Sequence, residues 1–187
     1  KALLINSPNN PSVVVYTEEE IKELTDYLKK IQEYSGHAIY LISDEPYREL
    51  VFTDKPVPFV PNYYDNTIIC YSWSKSLSLP GERVGYILVN DKCEGNETVM
   101  AAVGGAARVL GYVCAPTLFQ LVIEKCIDVE PNLEVYKKNR DMLYNGLTEM
   151  GYNVAKPDGA FYLFIEAPNV NSEVFSEKAK EHDVLVV

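Results

Sequence analysis

Apolar residues in this chain fall into short continuous runs and into longer stretches with helical spacing, and the two alternate from the start. Ala2, Leu3, Leu4 and Ile5 form a short apolar run, closed by the turn formers Asn6, Ser7, Pro8, Asn9, Asn10, Pro11 and Ser12. Thr17 followed by Glu18, Glu19 and Glu20 predicts a helix start. A hydroxyl cap precedes carboxylates placed against the positive end of the helix dipole, and Glu20 completes a capping box. Ile21, Leu24, Leu28 and Ile31 then recur on one face, and Gly36 predicts the stop. Apolar runs at residues 37–43, 67–71 and 84–89 predict further buried strands. Continuous apolar strands interleaved with a helix predict an α/β fold, a mostly parallel sheet with helices on both faces. Only a tight turn separates the run from Val84 from the one before it, so that strand is expected to run antiparallel.

The second half is more helical. Residues 98–113 are rich in Ala and Gly (Ala101, Ala102, Gly104, Gly105, Ala106, Ala107), which predicts a helix packed closely against a neighbour and not a phosphate loop. Pro116 restarts a helix to about Cys126, and Pro131 restarts another that ends at Gly151. The latter carries Tyr136, Met142, Leu143 and Leu147 on alternate turns, with Lys137, Lys138, Arg140 and Asp141 as a solvated face. This long connection marks a boundary between residues 1–130, part of a large domain, and residues 131–187. Strands at 152–155 and 161–165, a helix at 172–182 and a strand at 184–187 make the latter an incomplete α+β unit.

Composition narrows the class of function. Of 187 residues, 47% are hydrophobic and 24% charged, as in globular proteins. A formal charge of −10 disfavours nucleic acid or an anionic membrane as the main partner. Local donors still outweigh distant net charge at short range, so a phosphate site remains open. Cys70, Cys93, Cys114 and Cys126 lack metal-ligand spacing and read as reduced, buried thiols of a cytoplasmic protein. No run is long and apolar enough to span a membrane. The chain opens and closes inside apolar runs, without an initiating methionine, and reads as a segment of a longer protein.

The chemistry concentrates after the run at 67–71. Ser72, Ser74 and Arg83 could hold a phosphate, Lys75 is a nucleophilic amine, and Gly81 and Gly85 permit tight turns. In parallel α/β sheets, ligands bind beyond the carboxyl ends of the strands. The loops carrying Asn10, Asp44 with Tyr47, and Ser72 would all open on that edge. Each residue also has a plainer reading: Asn10 and Asp44 as turn residues, Tyr47 as one of 14 tyrosines, Arg83 as half of a surface pair. His37 and His182 read as structural.

Taken together, these stretches resemble the fold-type-I aminotransferases that use pyridoxal 5'-phosphate, the class I/II, aspartate-aminotransferase-like group. Asn6 to Ser12 is similar to that family's Asn-Pro turn, and Asp44-Glu45-Pro46-Tyr47 to its Asp-Glu-x-Tyr element. Ser72-Trp73-Ser74-Lys75 with Gly81-Glu82-Arg83-Val84-Gly85 resembles its cofactor-lysine signature, and Asp158-Gly159-Ala160-Phe161-Tyr162 the entry to its small domain. The resemblance implies a Schiff base on Lys75, which is also the general base, and Asp44 against the pyridine nitrogen. It places Tyr47 and Asn10 on the phenolic oxygen, and Arg83, Ser72 and, more weakly, Ser74 on the phosphate. It implies an internal or C-terminal segment of a homodimeric enzyme acting on an amino acid and a 2-oxo acid, and incomplete alone. A β-eliminating lyase on the same scaffold, or an aminotransferase-like effector domain of a transcription regulator, are the alternatives. Three departures stand out, and the gravest is absence. The family's N-terminal portion, with further phosphate donors and a ring-stacking aromatic, and its C-terminal portion, with the arginine that grips the substrate carboxylate, are not in this sequence. Neither Arg108 nor Arg140 is nominated in that arginine's place. Val13 replaces the usual glycine, so the backbone there is expected to avoid positive φ, and Trp73 is bulkier than usual between the serines.

Overall fold

The computed structural model describes residues 1–187 except Lys55, Asn169 and Val187. Strands β1 (Ala2–Asn6), β2 (Tyr40–Asp44), β3 (Thr67–Ser72) and β4 (Gly85–Val89) form one sheet in the order β1-β2-β3-β4. The first three are parallel and β4 is antiparallel to β3, as the tight connection before it predicts. Ile5, Ser43, Ile69 and Leu88 align across the sheet on one face, and Asn6, Asp44, Cys70 and Ile87 on the other. That second row ends at the carboxyl edge of the parallel strands.

Helix α1 (Glu18–Ser35) covers the first face. Thr17 and Glu20 form the predicted capping box, and Gly36 closes the helix in the left-handed conformation at φ 68°. Ile21 and Leu28 join Ile5, Ile39, Leu41, Val60, Tyr64 and Ile69 in the main core, with Leu24 and Ile31 packed at its margin. The strand expected from His37 begins only at Tyr40, because the chain first leaves the Gly36 turn and Ile39 N–H donates to Gln32 Oε1 at the helix end.

The short helix α2 (Trp73–Ser76) lies between β3 and β4, and helix α3 (Asn96–Val109) lies toward the opposite face of the sheet. The close packing expected of the small residues of α3 is not found. In its Ala/Gly-rich half only Val103 and Ala107 are partly buried, continuing a stripe that begins at Val99, while Ala101, Ala102, Gly104, Gly105 and Ala106 are exposed. Residues four apart share a helix face, so a single stripe meets the cleft and the rest has no cover among the described residues. Gly104 and Gly105 are helical, not a phosphate loop.

Helices α4 (Thr117–Cys126) and α5 (Leu133–Glu149) follow, then the short antiparallel pair β5 (Val154–Ala155) and β6 (Phe164–Ile165), and α6 (Ser172–Lys180). On α5, Lys137 and Asp141 fit the solvated face, but Arg140 does not. Its side chain is only 17% exposed and its guanidinium lies 4.8 Å from the centre of the Phe52 ring. The expected terminal strand is absent over residues 184–186, and Val187 lies outside the described residues. The tail instead bonds to α6, with Val184 N–H donating to the Ala179 carbonyl and Ser176 Oγ to the Val186 carbonyl. All four cysteines are free, but only Cys93 is buried and Cys114 is exposed, against the expectation of buried thiols. Cys114 sits in the exposed connection between α3 and α4, where little of the chain lies over it.

Segments distant in sequence meet at a second core of Tyr47, Leu50 and Ala160, flanked by Leu133, Tyr136 and Tyr162. Backbone bonds seal it. The Val13 carbonyl accepts from both Asp158 and Gly159 N–H at 3.1 Å, Ala160 N–H donates to Leu50, and Phe52 N–H to Asp158. Val13 therefore corrects the sequence expectation: its φ is +62°. Its N–H closes the turn onto the Asn9 carbonyl while its side chain is fully buried. A β-branched residue pays about 1–3 kcal/mol in this region, and burying its side chain offsets a similar amount. Gly159 is required for a different reason: a Cβ there would lie 2.8 Å from Pro8 Cβ and 2.9 Å from the Leu50 carbonyl oxygen. Gly159→Ala is expected to destabilise the protein by roughly 1–3 kcal/mol through overpacking, measured as a lower urea midpoint at unchanged m-value.

Candidate active site

Four segments converge beyond the carboxyl edge of the sheet. The turn after β1 is organised by Asn6, whose Nδ2 donates to the Asp44 carbonyl at 2.8 Å and whose Oδ1 accepts from Asn10 N–H at 2.7 Å. Asn10 is thereby held so that its Nδ2 reaches Tyr162 Oη at 3.2 Å and Tyr47 Oη at 3.5 Å. The two tyrosine hydroxyls are 2.8 Å apart, completing a triangle of polar groups. Burial, followed by the bond to Tyr162, holds the Tyr47 hydroxyl well above the usual phenol range. Tyr47 is thus both a core residue and a neutral hydrogen-bonding group at the site.

Lys75 enters from α2, which starts directly where β3 ends. Its Nζ lies 4.9 Å from the centre of the Phe161 ring and 5.7 Å from that of Tyr47. The aromatic faces give the ammonium favourable electrostatics without fixing it in an ion pair. The helix is braced from behind: Tyr71 Oη donates to Glu49 Oε1 at 2.8 Å and stands 2.9 Å from Ser76 Oγ. Trp73 N–H donates to the Val84 carbonyl, binding the helix start to the beginning of β4. A Cβ on Gly85 would lie 2.3 Å from the Tyr71 carbonyl oxygen, so glycine is needed there for close strand approach. Gly81 has no such role; the left-handed positions of this turn are Ser78 (φ 55°) and Arg83 (φ 56°).

Asp44, Ser72 and Arg83 share an open cleft of about 780 Å³ with Cys70, Ile87 and α3 residues including Val103 and Ala107. Arg83 Nη1 donates to the Pro80 carbonyl at 2.8 Å, which orients the guanidinium at the mouth. Asp44 is half-buried, and burial raises its pKa above the ordinary carboxylate value. It makes no ion pair among the described residues. A carboxylate placed at this depth without a cation is suited to a protonated ring nitrogen, and an arginine and a serine at the mouth are suited to a phosphate. The donor set therefore fits pyridoxal 5'-phosphate.

The structure thus gathers Asp44, Ser72 and Arg83 along the cleft, and Asn10, Tyr47 and Lys75 around the hydroxyl triangle. Ser74 is half-buried on α2 and does not line the cleft. Sequence reasoning passed over Tyr162, Phe161 and Asn6. Tyr162 and Phe161 lay inside the Asp158 to Tyr162 motif and Asn6 at the head of the Asn-Pro turn, so the signal was present, but only folding brings them to Tyr47 and Lys75.

A mostly parallel sheet thus sets a lysine, a half-buried carboxylate and a tyrosine–asparagine pair along one edge. The chain belongs to the aminotransferase class I and II family, whose model matches residues 1–187. It is similar to an aspartate aminotransferase of Thermotoga maritima, at 32% identity over 193 residues covering 100% of this chain and 47% of that protein. Among solved structures, it resembles an aminotransferase from Eubacterium rectale at 57% identity and a TM-score of 0.93, covering 100% of this chain and 47% of that one. A crystal structure of aspartate aminotransferase from Thermotoga maritima matches at 31% identity and a TM-score of 0.84, over 100% of this chain and 48% of that one. The chain spans about half the length of the curated relatives it matches.

Because burial raises the Asp44 pKa, folded Asp44 holds its proton more tightly than unfolded Asp44, and the ionised form opposes folding. Asp44→Asn is therefore expected to raise the Tm of the cofactor-free protein at pH 7. The gain shrinks as pH falls through the raised value and is gone below about 3.8, the ordinary value for this side chain. Thermal melts of both proteins between pH 7 and 3.5 check this, and a gain that grows toward acid contradicts it.

Proposed function

We propose that the full-length protein is a pyridoxal-phosphate-dependent aminotransferase that moves an amino group between an amino acid and a 2-oxo acid. The observation that carries this reading is Lys75 poised over the Tyr47 ring, with the Tyr47 hydroxyl tied to Asn10 and Tyr162. When bound, the cofactor supplies an aldehyde for amines and a ring that withdraws electrons from the amino acid's α-carbon.

Lys75 carries the amine that holds the aldehyde end and moves the proton at the α-carbon. Asp44 holds the pyridine nitrogen, and its raised pKa when alone falls as it gains a cationic partner. Tyr47 and Asn10 donate hydrogen bonds to the phenolic oxygen. Tyr162 keeps the Tyr47 hydroxyl oriented. Ser72 and Arg83 hold the phosphate, with Ser74 a lesser contributor. Residues 1–130 serve as part of the cofactor-binding large domain and residues 131–187 as part of the small one, which closes the site through Phe161 and Tyr162. The full-length protein is proposed to act as a cytoplasmic homodimer. Among the described residues no helix is long and apolar enough to cross a membrane.

In the full-length protein, amino transfer from an amino acid is expected to require an added 2-oxo acid, followed by quantifying both products. Lys75→Ala is expected to lower turnover by at least about a hundredfold. Stoichiometric ammonia release without an acceptor, or full turnover by Lys75→Ala, contradicts the proposal.

A further inference from the structure

Behind the site lies a buried ion pair that takes no part in the proposed chemistry. Glu45 follows Asp44 directly, and its side chain is 2% exposed. Both carboxylate oxygens are engaged: Oε1 accepts from Ser43 Oγ at 2.8 Å and Oε2 from Arg48 Nη1 at 2.7 Å. Arg48 reaches further, with Nη1 donating to the Pro58 carbonyl at 3.2 Å and Nη2 to the Val57 carbonyl at 2.9 Å. Its guanidinium also lies 5.7 Å from the centre of the Phe59 ring. The pair therefore joins the turn after β2 to the segment that leads into Val60 and Tyr64 of the main core.

This network flanks two residues of the site. Successive side chains of a strand point to opposite faces, so Ser43 stands on the face of Ile5 and Ile69 while Asp44 stands on the other. Glu45 N–H extends the ladder to the Cys70 carbonyl at 2.8 Å, and its side chain returns to the face of Ser43. With both neighbours of Asp44 tied to each other across that face, Asp44 is left one direction, toward the cleft. Arg48 N–H donates to the Glu45 carbonyl at 3.3 Å, so backbone and side chains close the same turn, with Tyr47 inside it. Burial pushes the Glu45 carboxyl above its ordinary range, and Arg48 and then Ser43 pull it back. A buried ion pair adds little stability that well-packed apolar side chains would not supply. Its charge-assisted hydrogen bonds are directional, and a fixed direction is what Asp44 and Tyr47 need.

We propose that the Glu45–Arg48 pair positions the cofactor-binding residues, directing the Asp44 carboxylate toward the pyridine nitrogen and the Tyr47 hydroxyl toward the phenolic oxygen. The proposal rests on the pyridoxal-phosphate reading and deepens it. Neither Glu45 nor Arg48 lines the cleft, so both are positioning residues that act through their neighbours.

The test uses the full-length protein loaded with cofactor and reads the pH midpoint of the cofactor's visible absorption. A hydrogen bond from Tyr47 stabilises negative charge on the phenolic oxygen, so a misdirected hydroxyl leaves that oxygen holding its proton more tightly. Replacing both partners together, Glu45→Gln with Arg48→Met, leaves no charge buried alone. This double variant is expected to raise the midpoint by about half a unit or more, the scale of one hydrogen bond. Arg48→Lys, which keeps the charge without the fork, is expected to raise it by less, and it decides the matter if the double variant does not fold. Leu28→Ala, a cavity in the main core, which does not include Tyr47, is expected to lower the Tm without moving the midpoint. An unmoved midpoint in every pair variant that folds, or an equal rise in Leu28→Ala, overturns the proposal. A wild type that retains no cofactor counts against the pyridoxal reading instead.

Discussion

The carbonyl of Val13, accepting hydrogen bonds from Asp158 and Gly159 at once, is the contact on which the rest of this arrangement depends. It joins a turn near the start of the chain to one about 145 residues later, so the Phe161 and Tyr162 side chains arrive where Tyr47 and Lys75 wait. The backbone cost is concentrated here. Val13 and Ala160 both take left-handed conformations at φ near 60°, and Gly159 passes too close to Pro8 for any side chain. Local strain of this kind persists only where surrounding structure over-determines it, and here two buried side chains and a run of backbone bonds do so.

The site beside this junction is arranged by electrostatics more than by ion pairing. Lys75 faces aromatic rings, and Asp44 is half-buried without an ion pair among the described residues. Tyr47 is kept neutral by burial and by Tyr162. Each group stands apart from the partners that would neutralise it in a purely structural role. The energy withheld from folding at Asp44 becomes available when a cation meets it, which is how a binding site differs from a core. The supporting groups are paired conventionally: Tyr71 with Glu49 and Ser76, Asn6 with Asp44 and Asn10.

Local order was legible in the sequence where one segment decides its own structure. The capping box at Thr17 and Glu20, the Gly36 stop and the antiparallel β4 follow from short-range rules, and the structure has them. The lysine turn, the Asp44 to Tyr47 element and the Asn-Pro turn were legible as motifs, and their convergence on one sheet edge followed from parallel strands. What failed involved long-range context. The φ of Val13 is set by Asp158 and Gly159, the burial of Arg140 by Phe52, and the exposure of α3 by what lies beside it. Tyr162 entered the site for the same reason: it stood inside the Asp158 to Tyr162 motif, but only the folded junction of Val13 with Asp158 and Gly159 brings it to Tyr47.

The most direct measurement is borohydride reduction of the cofactor-loaded full-length protein, followed by peptide mapping. A single pyridoxyl label on Lys75 is the expected result, lost in Lys75→Ala. A label on any other lysine, or none in a protein that retains its cofactor, contradicts the assignment of Lys75 as the anchoring amine.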